Sequence, residues 1–312
     1  MRTEDILILQ QVKGFGPVFL RQNIDRLISD DVFDFVKKHK PEQVPFLEQY
    51  KNDAKRYMFE ADKNNAKIIS FLSSEYPPQL KTIPNAPAVI YAKGNIDLLK
   101  RVVAIIGTRH SSLLGNRIAE RLGAYFSQQC SLCNGLVEGI DEHVIKVDDK
   151  ILPNVVGIIS GGIDYENTCT AHHQKNIEAV IEAGGLIVSS FSPGQKENSY
   201  SGSIASKLQA QLSHGLILVQ SSTTGGSKYT IEAFCKLSRP IGVIEYKKSS
   251  EYETEVFGAN RLILEKGRLG LAEFIGGKNV KQLNPSRIVS IQSVSEYESF
   301  IRYMFNEKKS LF

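Results

Sequence analysis

The stretch VVAIIGTRHSSLLGNRIAERLGAYF, Val102–Phe126, decides the fold. Val102–Ile106 is an unbroken run of β-formers, the pattern of a strand buried on both faces. It stops at Gly107, Arg109 follows two residues later, and a helical pattern then begins. A parallel strand that ends in glycine and arginine raises a question about ligands, because open α/β sheets bind theirs beyond the carboxyl ends of their strands.

The same alternation continues to Gly277. Strands are expected at VVAIIG, CSLCNG, NVVGIIS, GLIVSS, GLILVQ and PIGVIEY. Between them lie helical patterns such as AHHQKNIEAVIEAGG, with Ile177, Val180 and Ile181 on one face and Gly184 as the stop. This order predicts an α/β fold with a doubly wound, Rossmann-like parallel sheet over residues 101–277. Ahead of it, residues 1–65 read as short helices, with Gly14-Phe15-Gly16-Pro17 as the reversal of a helix-hairpin-helix-like pattern. Such a hairpin either offers its amides to a phosphate or only packs a small helical bundle against the rest. Residues 66–100 form a connector broken by Pro77, Pro78, Pro84 and Pro87, with one short strand at AVIYAKG. A tail of one strand and one helix is expected over 278–312.

Several strand ends share one style. Gly107, Thr108 and Arg109 are followed by Ser111, Ser112 and Gly115; NGLVEGID follows the second strand and SGGID the third. SSTTGGSKYTIEA follows the fifth, placing Gly225, Gly226, Ser227 and Lys228 before a helix that carries Glu232. Small residues let backbone amides approach an oxyanion, and Arg109 adds a guanidinium suited to phosphate. Each loop taken singly is also an ordinary helix cap. Neither G-x-G-x-x-G nor G-x-x-x-x-G-K-[ST] occurs, which argues against a dinucleotide fingerprint and a P-loop ATPase.

Composition sets bounds on this reading. The chain has 312 residues, 42% hydrophobic and 23% charged, with a formal net charge of +4 that permits an anionic partner without requiring one. No apolar run approaches a membrane span, and the first residues lack a signal-peptide pattern, so a cytoplasmic protein without membrane contact is expected. Four cysteines are no disulfide framework. Cys130 and Cys133 fall on an expected strand, where residues three apart face opposite sides, so they read as buried structural thiols. Cys169, His172 and His173 lack a fourth ligand nearby in sequence and read as a polar turn, so no metal is expected.

The chain resembles the DNA-processing protein A family (DprA, also called Smf). The likeness runs through YPPQLKTIPNAPAVIYAKGN, VAIIGTRHSSLLG, NGLVEGID, ISGGIDYEN, GGLIVSSFSPG, QLSHGLILVQ, GGSKYTIEAF, RPIGVI and GANRLILEKG, in family order. It implies an extended Rossmann-like domain that binds single-stranded DNA, forms a homodimer and helps load RecA during natural transformation, without a cofactor and without enzymatic activity. DNA contacts are then expected at Gly107, Thr108, Arg109, Ser111, Lys207, Gly225, Gly226, Ser227 and Lys228, with Tyr165, Tyr200 and Tyr229 in loops suited to base stacking. The chain departs from the family twice. Ile145 stands where a histidine usually follows the GID aspartate, and Ala205, Ser206 and Lys207 occupy the family's R-N-R positions. The lonely-guy phosphoribohydrolases, in the same superfamily, carry P-G-G-x-G-T-x-x-E. TGGSKYTIE matches it at Gly225, Gly226 and Glu232, while Lys228 and Tyr229 replace its G-T pair. The alternative is therefore a nucleotide-binding sensor or hydrolase, in defence or stress signalling, with Glu232 as its carboxylate.

Overall fold

All six apolar runs become strands of one sheet in the computed structural model, which describes residues 2–305 apart from 199, 278 and 279. In chain order the strands are β1 (Lys67–Ser70), β2 (Val89–Gly94), β3 (Val102–Ile106), β4 (Ser131–Asn134), β5 (Lys146–Val147), β6 (Lys150–Ile151), β7 (Val155–Ile158), β8 (Leu186–Ser189), β9 (Gly215–Leu218), β10 (Pro240–Ile244) and β11 (Arg287–Ile291). The main sheet has nine strands in the order β1-β2-β8-β7-β4-β3-β9-β10-β11, and β5 and β6 form a separate small hairpin. From β8 to β11 every pairing is parallel, while β1 and β2 add an antiparallel edge.

β3, β4, β7, β8, β9 and β10 are buried at every residue. Helices cover both faces of such a sheet, which is why these strands read as continuous apolar runs rather than as alternations. The chain builds outward from β3 through β4, β7 and β8. It then crosses back along the helix Ser201–Leu212 to start β9 on the other side of β3. The strand order therefore reverses between β3 and β9, and a crevice opens beyond their carboxyl ends. Arg239 fixes the return of that crossover helix. Its guanidinium donates to the carbonyls of Gln211 at 2.8 Å and Gln79 at 3.1 Å, tying the helix end to the proline-rich segment.

The front piece folds as helices Thr3–Leu9, Pro17–Gln22, Ile24–Ser29, Val32–His39 and Leu47–Lys63. Phe15, at the centre of the hairpin, is buried and stacks on Phe19 at 4.6 Å, with Phe35 edge-on at 5.5 Å. The hairpin's central side chain thus serves packing. Arg21 reaches from this bundle to donate to the Tyr76 hydroxyl at 2.8 Å, and one apolar core runs from Ile6 through to the sheet. Among the described residues no helix is long and apolar enough to cross a membrane. Cys130 and Cys133 are buried free thiols, Cys133 within β4 and Cys130 just before it.

Candidate functional site

Beyond the end of β3, the Thr108 amide donates to the Gln220 carbonyl at 2.9 Å, so the pairing of β3 with β9 continues into both loops. Gly107 stands at this corner because a side chain there would run into Ile140 and the Gln220 carbonyl. Its glycine is required by close packing, whatever else the loop binds. Gly139, at φ +80°, brings the loop after β4 under the carbonyls of Thr108 and Arg109, and the Ile140 amide donates to Thr108 at 3.2 Å. On the other side Asn260 is fully buried and ties down the loop after β9. It accepts from the Ser221 amide at 3.1 Å and donates to the carbonyls of Val219 at 3.0 Å and Ile244 at 3.1 Å.

Between these loops lies a cavity of about 740 Å³. Gly107, Thr108, Arg109, Gly225, Gly226 and Ser227 all line it, so the structure brings together loops more than 110 residues apart in the chain. Gly135 and Val137 from the loop after β4 line it as well, with Asp141 from the short helix Ile140–Val144 that follows. So do Ser160 beyond β7, and Gly202, Ser203, Ser206 and Gln209 along the crossover helix. One side of that helix thus runs along the cavity from its first turn to Gln209.

Four residues named from sequence lie elsewhere. Ser111 precedes a helix, Leu113–Phe126, whose start is closed internally: Ser112 caps the Gly115 amide at 3.1 Å. Lys207 points off the cavity-facing side of its helix; burial first, and then Lys236, lowers the pKa of its amine. Lys228 is half-buried with its ammonium 5.5 Å from the Tyr229 ring, and it is not a lining residue. Glu232, on the helix Lys228–Phe234, pairs at 3.5 Å with Lys236 in the turn just past the helix end, also outside the lining.

The electrostatics of the cavity suit an anion better than Asp141, the carboxylate in its lining, suggests. Asp141 is buried at the floor, and that burial pushes its carboxyl up to about 7, against the Gly135 and Val137 amides and the charge of Arg109, which pull it down. Near neutral pH this group is therefore only partly charged. Glu197, behind the wall, loses some anionic character to burial. The Thr170 amide, the Ser160 hydroxyl and His173 outweigh that loss and hold its carboxyl below the usual range. Arg109 is exposed at the rim. Ser227 is 7% exposed, and its hydroxyl has no hydrogen-bond partner among the described residues. A buried hydroxyl left unpaired in a cavity wall costs free energy unless something fills the place. Tyr200 and Tyr229 stand at the same rim, 73% and 51% exposed, whereas Tyr165 is buried under the Lys93 ammonium.

Sequence reading missed the part played by Asp141, Gln220 and His173. Asp141 was visible in NGLVEGID, but nothing in the string distinguishes a buried floor carboxyl from a helix cap. Gln220 follows a strand and His173 sits in a helical pattern, and only the tertiary fold brings them to the crevice.

Comparisons with known proteins agree on one lineage. A family described as DNA recombination-mediator protein A matches residues 67–273. The DNA processing protein DprA of Bacillus subtilis is 27% identical over 191 residues, covering 59% of this chain and 62% of that protein. DprA of Streptococcus pneumoniae is 26% identical over 229 residues, 72% of this chain and 78% of the other. The X-ray structure of that pneumococcal protein superimposes with a TM-score of 0.72 at 20% identity, covering 96% of this chain and 98% of its own. A Helicobacter pylori DprA structure, titled for its single-stranded DNA binding mode, aligns with a TM-score of 0.55 at 22% identity over 65% of this chain and 88% of its own. The match spans more than half of the chain, which belongs to the DNA recombination-mediator protein A family.

Proposed function

We propose that this chain binds single-stranded DNA in the crevice between β3 and β9, in DNA processing, uptake or recombination. The observation that carries the proposal is the shared cavity: Arg109, the Gly225–Ser227 turn and the exposed rings of Tyr200 and Tyr229 all border it. Phosphate would sit against Arg109 and the unpartnered Ser227 hydroxyl, and bases would stack on the tyrosines at the rim. Stacking on rim tyrosines needs unpaired bases, which favours a single strand over a duplex. The family supports the same reading. In it we place a homodimer acting in the cytoplasm, with a RecA-type recombinase as the protein partner.

A second reading, a nucleotide-binding sensor or hydrolase, draws support from the cavity volume. About 740 Å³ lies within the range of small-molecule sites. One titration separates the two. Affinities for a labelled single strand, the matching duplex and nucleoside monophosphates are compared across a salt series. DNA binding predicts a preference for the single strand and a steep fall of affinity with salt. Tight, salt-insensitive binding of a mononucleotide with no affinity for the strand would replace it with the second reading.

A further inference from the structure

His173 faces hydrogen-bond acceptors at both ring nitrogens. Its Nε2 lies 2.9 Å from the Gly135 carbonyl, and its Nδ1 lies 3.3 Å from Glu197 Oε2. A carbonyl only accepts, so Nε2 carries the proton, and in the neutral ring Nδ1 then directs a lone pair at a carboxylate oxygen. Two acceptors at that separation need a cation between them. A proton is one such cation. The third neighbour argues for a metal ion, because Cys169 offers its thiol beside them. One ligand atom from each of Cys169, His173 and Glu197 lies within 4.8 Å of the other two.

We propose that Cys169, His173 and Glu197 bind a zinc-class divalent cation at the wall of the cavity. A sulfur, a nitrogen and an oxygen form the mixed donor set that zinc takes. Two light-atom ligands on a tetrahedral zinc stand about 3.3 Å apart, the spacing already present between Nδ1 and Oε2. The thiol must move inward by about 1 Å to complete the set.

The surrounding hydrogen bonds orient the ligands as metal sites require. The bond from Nε2 to Gly135 fixes the tautomer that leaves Nδ1 free to ligate. Ser160 Oγ donates to Glu197 Oε2 at 2.9 Å, and the Thr170 amide donates to Oε1 at 2.7 Å, so the carboxylate cannot swing away. Glu197 is the ligand that sequence spacing concealed, 28 residues beyond Cys169 and on a different loop. His172, next in the chain, is turned out to pair with Glu142 at 2.9 Å. Three protein ligands leave a fourth position for water or another oxygen donor. Because Ser160 and His173 also line the cavity, the ion would add positive charge to a wall that otherwise carries few cations.

The test uses the full chain, stripped with a chelator, dialysed against Zn²⁺ and then against metal-free buffer. Retained zinc is measured by mass spectrometry. A parallel Co²⁺ titration is followed for tetrahedral visible bands and a sulfur-to-cobalt charge-transfer band. The expected result is one equivalent retained, with the charge-transfer band lost in Cys169→Ser and affinity lowered about tenfold or more in Cys169→Ser and Glu197→Gln. Circular dichroism confirms that those two variants remain folded; neither changes side-chain size appreciably. No retained zinc, or retention untouched by both substitutions, overturns the proposal. So does an imidazole of His173 that nitrogen NMR finds doubly protonated with and without Zn²⁺, since a proton then owns the gap.

Discussion

Gln220 holds Ser112 at two points: its Oε1 accepts from the Ser112 amide at 3.0 Å, and its Nε2 donates to the Ser112 hydroxyl at 2.8 Å. The same hydroxyl caps the Gly115 amide, so the end of β9 positions the start of the helix that follows β3. Gln220 is fully buried. Gln220→Met keeps the bulk but leaves the Ser112 amide unpaired, and is expected to cost about 1–3 kcal/mol. Ser112→Ala removes the cap and should cost about 1 kcal/mol. The double variant should lose less than the sum of the two, because one network carries both costs. Denaturant melts of all four proteins measure this, and strictly additive losses would mean that the two residues act apart.

Arg109 lines the crevice and is exposed to whatever enters it. Arg109→Ala should weaken single-stranded DNA binding and flatten the slope of log affinity against log salt by about 0.7, one phosphate's share on a single strand. Lys207→Ala is the contrast, since that amine points away from the cavity and is expected to leave the slope unchanged. Equal slopes for wild type and Arg109→Ala would put the DNA elsewhere on the molecule.

The fold was legible because its signal is local. A strand buried on both faces announces itself in five consecutive residues, as Val102–Ile106 does, and such strands fixed the layers of the sheet. The added edge was harder to read: β1 lies in the segment AKIIS, too short and mixed to separate from the end of the preceding helix. The site was half legible for a related reason. Glycine-rich strand ends mark the crevice, but a string does not say which side of a helix a residue takes, so Lys207 and Ala205 look equally placed until the helix is built. Some family-like strings owe their residues to packing. Asn260 in GANRLILEKG and Arg239 in RPIGVI tie strand and helix ends together rather than touching a ligand directly.

Asp141 makes the cavity sensitive to pH. Its carboxyl stands at about 7 in the folded chain against an ordinary 3.8, with burial as the main cause. Above about pH 4 the unfolded chain gives up this proton while the folded chain keeps it. The group's contribution to stability is thus complete below that pH and is lost as pH rises through 7. Asp141→Asn removes the titration while retaining an acceptor for the Gly135 amide. The variant should therefore gain on the wild type by about 2–3 kcal/mol between pH 5 and pH 8. Denaturant melts at four pH values in that interval check it, and parallel curves would mean that Asp141 titrates like an exposed carboxylate.

Glu232 separates DNA binding from nucleotide hydrolysis. An N-glycosidic hydrolase needs a carboxylate beside the ribose while the phosphate is gripped nearby. Gly225, Gly226 and Ser227 border the cavity and suit the grip, but Glu232 does not line it. Its carboxylate instead meets Lys236, just past the end of its own helix, at 3.5 Å. Tyr229 occupies the lining where the hydrolases carry a small residue, and its half-exposed ring takes space that a ribose would need. To act, Glu232 would have to leave its lysine and turn toward the stretch of cavity lined by Tyr229 and Thr230. The expected outcome is no free base from any nucleoside monophosphate, judged by chromatography after prolonged incubation, and single-stranded DNA affinity in Glu232→Gln within about twofold of wild type. Base release that vanishes in Glu232→Gln would make hydrolysis the primary activity and DNA binding secondary.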